Sequence, residues 1–593
     1  MRAFYDSPEL RWKAIQDDYA ADSAARDRME DIEYSLQGKD GAPTNSCWEY
    51  VNLVLPQLVY QNPSLNIDSR IPGEPVFEAM GLRYALESLM ARQRWNCTWE
   101  QAFTDALAWR GVTMVSTEKV AAPHFMHGRE VIDWNQKPVK VSREYTYQEP
   151  RLYYIRPQDF FIDSEATTTA TARRMGHRWT DTLGHLKACA EADPSYNMSA
   201  IDAFSGRGGD KASDTVIVRQ MYVPNYLDPE ALKAYDGDED PEKDGLHHGT
   251  IYTMIEGADS GGGVDLRKPR VYRGPACGPY QVYSCVPLPG RKHRTAPLMA
   301  TWKQINRDAR VGDACIRAGE AFKRVTLATE EAAKAIRNME EDGLAEFGAA
   351  AEIMEQAVKD IQMGGIPVEL ANFYGMTRDS VDRTLGISDT QRGIATKDTT
   401  ATAESIADKS TDIKIGMLRT ALHRTAADAC YVAGWHAMHS TDFIEPLSDD
   451  ARKAGLETMR RAGMPIPPEA DTDMDGPATI YVGGSALDAD DPNKAFDGMM
   501  IEIEPMSMER TSEHMQQKRI MEAGNLISLA VQIRGAAPDF DAARFLDDSG
   551  AKLNMPGLGK YLESGAQQQQ MGQAQQPGQV QPGMPGTPQG AIR

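Results

Sequence analysis

The sequence predicts an α+β protein that is mainly helical, with a β-rich region between two groups of helices. Three observations predict this class. Apolar residues recur at helical spacing in the first 109 residues, alternate at spacing two within 139–286, and return to helical spacing over 297–440. The alternating stretch lies between the two helical ones, so strands and helices are segregated along the chain as in α+β folds.

Three helical runs are predicted before the β-rich region. The first covers 8–37, is mostly polar, and ends at the breaker 38–43. The second covers 46–60 and is stopped by the prolines that follow it. The third covers 74–109. Their apolar positions include Leu10, Ile15, Tyr19, Ile32, Leu36, Met80, Tyr84, Leu86, Leu89, Met90, Trp95, Trp99 and Trp109.

Short alternating or apolar segments predict the strands of the β-rich region. Val139, Val141, Tyr145 and Tyr147 lie at mostly even spacing, as in a half-buried strand. Further strands are predicted at 152–163, 216–222, 250–255 and 280–286. The acidic or glycine-rich stretches 236–244 and 257–263 are expected to be solvated loops.

A helix predicted over 301–324 carries two separate patterns. A heptad stripe, half of it Ala or Gly, is typical of close helix packing and consists of Trp302, Ile305, Ala309, Gly312, Ile316 and Gly319. Another face carries cations at seven-residue spacing, with Arg307 nearby: Lys303, Arg310, Arg317 and Arg324. These cations are either a solvated face paired with Asp308, Asp313 and Glu320, or rings of charge in an oligomer that face a polyanion.

A second long helix is predicted over 400–439, without proline and about 60 Å long. Its apolar stripe is Ile415, Leu418, Leu422, Ala426, Ala429 and Ala433. A helix of this length favours an extended architecture or a subunit interface. Residues 444–497 are predicted to be mostly irregular, followed by a strand at 499–504 and a helix at 507–533. The Gln-, Gly- and Pro-rich tail from about 566 to 593 is expected to be disordered.

Composition excludes several classes of protein. The chain has 593 residues, which suggests about four domains, and a formal net charge of −22, which argues against a surface that coats DNA. No run approaches the ~20 apolar residues of a membrane helix, and the N-terminus lacks the apolar core of a signal peptide. The 7 cysteines form no CxxC pair, so reduced thiols in the cytoplasm are expected.

Motifs for catalysis or metal binding are missing, so the sequence predicts no enzyme, cofactor or metal site. There is no phosphate-binding P-loop, dinucleotide fingerprint, nucleophile elbow or HEXXH. His124, His127 and Glu130 lack a helical frame. Asp471, Asp473, Asp475 and Gly476 open like an EF-hand loop, but Val482 occupies the position of the bidentate Glu. Cys277 and Cys285 do not have zinc-ligand spacing.

Five blocks, in order, resemble the portal (head–tail connector) proteins of tailed bacteriophages. Block 45–70 resembles the family's early helix with an internal proline, and 154–188 resembles its Arg-Pro-x-Asp turn, with Ser164 where Pro is frequent. Blocks 287–310 and 378–405 resemble the two stem helices, with Ala403 inserted before the Glu of a TATE-like helix start. Block 501–530 resembles the late strand and helix.

The resemblance implies a ring, usually of twelve subunits, at one vertex of the capsid. Double-stranded DNA enters the ring during packaging and leaves through it during ejection. The implied partners are terminase, the major capsid and scaffolding proteins and tail adaptors, with no membrane; the location is the virion, after assembly in the host cytoplasm. The implied parts are an N-terminal wing (1–301), stem helices (302–324 and 373–395), a clip (325–372), a second wing part with a tunnel loop (396–510) and a crown (511–565).

Two other hypotheses remain open from the residues alone. The long helices are also compatible with a capsid-associated scaffolding protein that forms elongated oligomers without a channel. The acidic cluster Asp488, Asp490 and Asp491 is compatible with a metal-dependent nuclease.

Overall fold

The computed structural model confirms a mixed α and β fold in which helices outweigh strands. It describes residues 7–38, 45–69, 76–121, 130–133, 138–140, 146–166, 169–205, 214–233, 246–256, 262–285, 296–320, 323–328, 358–363, 365–387, 401–440, 443–446, 479–482, 496, 499–504, 507–508, 513–536, 542, 545–546 and 549. The chain divides into two units, Met1–Ile503 and Glu504–Arg593. The predicted disordered tail lies outside the described residues.

Five helices occupy the region where three runs are predicted: α1 (Pro8–Ala21), α2 (Ser23–Leu36), α3 (Ser46–Leu58), α4 (Val76–Gln93) and α5 (Trp95–Ala108). The prediction of one helix over 8–37 is wrong because Asp22 leaves the helix, and its carboxylate accepts a hydrogen bond from buried Arg110 at 2.8 Å. The third run breaks at Arg94, whose φ is +55°. Neither break is marked by Gly or Pro.

The strands of the larger unit are β1 (Leu65–Ser69), β2 (Gly111–Ala121), β3 (Glu130–Asp133), β4 (Pro138–Lys140), β5 (Thr146–Ile155), β6 (Phe160–Ile162), β7 (Met175–Thr182), β8 (Thr215–Pro224), β9 (His247–Glu256), β10 (Gly263–Arg273), β11 (Tyr280–Tyr283), β12 (Lys323–Ala328), β13 (Val358–Met363), β14 (Ile444–Pro446), β15 (Thr479–Val482) and β16 (Met499–Ile503). Strands β8, β9, β11 and β16 confirm predicted ones. Sequence reasoning missed β2, β3, β7, β10 and β12 to β15, and the predicted strand 152–163 is divided between β5 and β6. Of the strand predicted around 139–147, Val139 lies in β4 and Tyr147 in β5, while Val141 and Tyr145 lie outside the described residues.

Most of the strands pair antiparallel. One sheet has the order β10-β9-β8-β7-β6, a second has the order β11-β2-β5, and a third has the order β14-β15-β3-β4, in which β15 and β3 run parallel. Strand β1 pairs with β16, and β12 pairs with β13. The short strands β14 and β15 lie inside 444–497, which is predicted to be mostly irregular; the rest of this region, apart from residue 496, lies outside the described residues.

Helices cover both faces of the five-stranded sheet. On one face, Trp12 and Ile15 of α1 pack against Met221, Tyr252 and Met254. On the other face lie two short helices, α6 (Leu183–Ala192) and α7 (Met198–Ser205), whose apolar side chains pack against Val216 and Val218 of β8. A further short helix, α8 (Pro229–Lys233), contacts β10.

Three longer helices follow: α9 (Pro297–Glu320), α10 (Val368–Leu385) and α11 (Ala401–His439). Helix α11 confirms the predicted long helix, and every member of its predicted apolar stripe is buried. Its His423 donates a hydrogen bond from Nε2 to the Leu58 carbonyl oxygen at 2.8 Å, which ties α11 to the end of α3. Burial lowers the pKa of His423 and keeps the ring neutral.

The smaller unit contains α12 (Glu513–Ala536), which begins later than the predicted residue 507. Ala523 and Ala530 of this helix pack against Ala542 and Leu546. In the whole described part of the chain, no helix is long and apolar enough to cross a membrane. All seven cysteines are free thiols.

We predict that Asp105 makes stability fall as pH rises from about 4 to 7. Burial raises the pKa of Asp105 to about 7; the hydrogen bond from Tyr154 opposes this shift, and the charge of Glu33 adds to it. The folded chain therefore holds a proton that the unfolded chain releases above its ordinary pKa of 3.8. The contribution of protonated Asp105 to the free energy of unfolding is complete below this ordinary pKa and is lost as the pH rises through 7.

Denaturant unfolding of the wild type and Asp105→Asn at pH 5 and pH 7 tests this expectation. The neutral amide removes the titration, so the stability of the variant relative to wild type should increase between pH 5 and pH 7, by at most about 2.7 kcal/mol. A difference between the two proteins that is the same at both pH values would contradict the assignment.

Candidate assembly and channel surface

The candidate site is built on the antiparallel pair of helices α9 and α10, here called the hairpin. Four contacts along the hairpin define how residues of α9 align with residues of the chain around α10. Gln304 Oε1 accepts a hydrogen bond from Thr384 at 3.0 Å, Asp308 Oδ1 accepts one from Thr377 at 3.1 Å, and Cys315 Sγ lies 3.9 Å from the Leu370 carbonyl oxygen. Gly319 faces Ile366, which lies 3.7 Å from where a Cβ would stand.

Beyond the hairpin, the chain continues as a two-stranded antiparallel ribbon of β12 and β13. Lys323 pairs with Met363 next to the helices, and Ala328 pairs with Val358 at the far end of the ribbon. The prediction of one helix over 301–324 is therefore wrong at its end. The helix stops at Glu320, and the backbone of 323–328 takes up strand pairing instead.

The predicted packing stripe of α9 is partly covered by its own chain. Trp302, Ile305 and Gly312 are buried, whereas Ala309 and Gly319 are half-buried and Ile316 is 46% exposed. Helix α9 contacts α2, α3, α5 and α10. The buried members of the stripe pack within the chain's own unit, and Ile316, with half-buried Ala309 and Gly319, is left partly open to another molecule.

A buried charge fixes the hairpin at its midpoint. Asp308 is 1% exposed, and Arg378 of α10 reaches it at 3.7 Å. The same guanidinium donates to Ser46 Oγ at 2.7 Å and to the carboxylate of Glu49, both on α3. Burial raises the pKa of Asp308, and the Thr377 and Arg378 contacts oppose this shift. We call this group, Asp308, Thr377, Arg378, Ser46 and Glu49, the clamp.

On the distal side of the clamp, apolar side chains lie open to solvent. Val368 and Met376 of α10 are 71% and 70% exposed, in contrast to Val381 and Leu385, which are buried on the near side. The exposed apolar set of the distal hairpin is Ile316, Ile366, Val368, Phe373 and Met376. Large exposed apolar residues grouped on one element are typical of interaction surfaces.

The predicted cations of α9 are exposed on the outer face of this helix. The Arg307 guanidinium lies 5.0 Å from the centre of the Phe373 ring, and Arg317 forms an ion pair with Asp313 at 2.7 Å within its own helix. Lys303 and Arg310 have no ion pair among the described residues. Arg324 lies on β12, so the row of cations at helical spacing ends at Arg317.

Charge differs between the two helices of the hairpin. On α9 the exposed charged side chains are Lys303, Arg307, Arg310 and Arg317 with Glu320, whereas α10 exposes Glu369, Asp379 and Arg383. The exposed charge is therefore mainly positive on α9 and of both signs on α10.

Sequence reasoning missed the clamp. It treated Asp308 as a surface partner for the α9 cations, but Asp308 is buried and its cation comes from α10. Of the predicted surface pairs, the structure contains Asp313 with Arg317. No pattern in the chain marks Arg378, which lies 70 residues beyond Asp308 in sequence.

The other sequence candidates add no site within the described residues. No group of three or more His, Cys, Asp and Glu side chains could hold a metal ion there. His124, His127 and the acidic residues of 471–491 lie outside the described ranges, while Glu130 begins β3. Cys277 is exposed and Cys285 is buried.

Comparison with known proteins adds no relative. No protein-family model matches the chain, and no curated protein matches its sequence. The hairpin and the sequence motifs of the chain itself are therefore the basis for proposing a function.

We predict that Arg378→Met lowers the free energy of unfolding by roughly 3 kcal/mol, because it leaves the Asp308 carboxylate buried without its cation. Denaturant unfolding measures the change. Arg310→Met is the matched control, since Arg310 is exposed on α9 and should change stability by no more than about 0.5 kcal/mol. Equal effects of the two substitutions would mean that the clamp does not hold the hairpin.

Proposed function

We propose that this protein is a subunit of a portal ring, the head–tail connector of a tailed bacteriophage. In this role it forms a homo-oligomer, usually of twelve copies, at one vertex of the capsid in the virion, after assembly in the host cytoplasm. Double-stranded DNA passes through the ring during packaging and ejection. This role requires no catalysis, cofactor or metal; the ring is a conduit and a docking platform.

The observation that carries this proposal is the distal hairpin. Distal to the clamp it exposes the apolar set, with Arg310 and Arg317 on α9 and Glu369 on α10. A contact between two different faces is heterologous, and repeated heterologous contacts close into a ring when the rotation between copies permits. Burial of the apolar set between copies would remove its contact with water.

The proposed parts follow the order of elements along the chain. Helices α9 and α10 form the stem, although α10 begins at Val368, before the expected 373. The β12–β13 ribbon and the residues between its strands form the clip. Residues 325–372 contain ten acidic and three basic residues, so salt-sensitive docking to basic patches of terminase and tail adaptors is expected. Residues 511–565 form the crown.

The charge distribution suits a conduit through which DNA slides. Tight contacts to phosphates would hold the duplex, because each contact adds affinity through counterion release. A wall that is acidic overall repels the duplex, while a few cations such as Lys303 and Arg310 give weak, spaced contacts. The α9 cations either line the channel or form contacts between subunits. Measurements of ring assembly and of DNA packaging distinguish these two roles.

The competing proposal is a capsid-associated scaffolding protein without a channel. The 39-residue helix α11 favours it, because long helices also build elongated oligomers. Electron microscopy of the purified full-length protein distinguishes the two. Rings with a central hole wide enough for duplex DNA are expected; rods or monomers would overturn the portal proposal.

For the channel role, we predict that Arg310→Glu with Arg317→Glu leaves rings intact but reduces the length or retention of packaged DNA. Reversed charges would repel the phosphates that the native cations attract. Packaged genome length measured by gel electrophoresis is the readout, and Lys268→Glu, an exposed cation on β10, is the matched control. Normal packaging with intact rings would exclude these residues from the channel, and loss of rings would assign them to the interface.

A further inference from the structure

A surface cluster at α6 places a thiol, an imidazole and a carboxylate in contact, each four residues from the next along the chain. Cys189 Sγ lies 3.6 Å from His185 Nε2, and His185 Nδ1 lies 2.8 Å from Asp181 Oδ1 and 3.0 Å from Oδ2. His185 and Cys189 are four residues apart on one face of α6, and Asp181, four residues before His185, lies at the end of β7. They lie outside the hairpin and outside every contact used above.

The local fold positions the cluster. Thr182 caps α6 by accepting a hydrogen bond from the His185 backbone N–H at 3.3 Å, which sets where the helix begins. Leu183 and Leu186 are buried against the five-stranded sheet. The opposite face of α6, with the His185 side chain 63% exposed, therefore points to solvent, where a small molecule can reach it.

The chemistry of the partners assigns the protons. An ionised carboxylate only accepts hydrogen bonds, so Asp181 holds the proton of His185 on Nδ1 and leaves the lone pair of Nε2 toward Cys189. Thiol as donor, imidazole as base and carboxylate as orienting group is the arrangement that activates cysteine nucleophiles. Cys189 lies toward the C-terminal end of α6, where the helix dipole does not favour a thiolate, so His185 supplies the activation.

We propose that Cys189 is a reactive thiol that exchanges with low-molecular-weight disulfides, with His185 as its base and Asp181 as the positioning residue. The sulfur attacks one sulfur of the disulfide RS–SR while its proton passes to Nε2. The S–S bond breaks, the leaving thiolate takes the proton from the imidazolium, and the products are Cys189–S–SR and RSH. The disulfide is reduced and Cys189 is oxidised, so electrons balance without another reactant.

The other cysteines provide internal references. Cys97 and Cys277 are exposed, and their thiols lie 4.0 Å from the Asn96 amide oxygen and 3.9 Å from the Gly278 carbonyl oxygen. Desolvation and the charge of Asp428 raise the pKa of Cys277 to about 12, so Cys97 is the better reference. Cys47, Cys285, Cys315 and Cys430 are buried. If exposure alone determined reactivity, Cys97 and Cys277 would react faster than half-buried Cys189. If His185 acts as the base for Cys189, Cys189 reacts faster than Cys97 and Cys277.

The test treats the full-length protein with limiting glutathione disulfide at pH 7 and measures the mixed disulfide at each cysteine by mass spectrometry. Cys189 should react about tenfold faster than Cys97, since a positioned base contributes at least this much. His185→Gln should lower the rate at Cys189 to that of Cys97 or below it, and Asp181→Asn should give an intermediate rate, while the rate at Cys97 stays constant in all three proteins.

The same measurement at high pH distinguishes a role of His185 as a base from a purely structural role. At pH 10 a thiol loses its proton without help, so wild type and His185→Gln should react equally at Cys189. A persistent difference at pH 10 would show that the substitution acts by altering access rather than proton transfer. Equal rates at Cys189 and Cys97 in the wild type at pH 7, or an unchanged rate in His185→Gln, would also overturn the proposal.

Discussion

The buried contact between Asp308 and Arg378 is the constraint on which the hairpin depends. A carboxylate that is 1% exposed needs a cation and hydrogen bonds, because its charged form is costly away from water. Only one alignment of α9 and α10 brings Thr377 and Arg378 to Asp308. The same guanidinium reaches α3, so one side chain sets both the register of the hairpin and its attachment to the rest of the unit.

The clamp also divides the hairpin into two surfaces of different character. On the near side, Trp302, Val381 and Leu385 are covered by the chain itself. On the distal side, similar residue types are left in water. An apolar surface that a chain orders but does not cover is stabilised when another molecule covers it, and we propose a second copy as that molecule. The net charge of −22 is therefore less informative than this exposed apolar surface.

Local patterns predicted much of the fold, and non-local contacts account for what they missed. Helix α11 was predictable because its buried stripe repeats at helical spacing without an interrupting proline. Arg324 was misplaced because its seven-residue spacing continues past Glu320, whereas the strand that it joins depends on pairing with 358–363. The break at Asp22 depends on Arg110, 88 residues away, and the clamp joins residues that look like ordinary surface charges when read singly.

We propose that a second copy covers the distal hairpin. The most direct test is the mass of the particle formed by the purified chain and by its Val368→Glu, Met376→Glu double variant, measured by native mass spectrometry at equal concentration. The account predicts a closed assembly many times the 65.5 kDa of one chain for the wild type, and a folded 65.5 kDa monomer for the variant. A wild-type monomer, or a variant that assembles as well as the wild type, would contradict it.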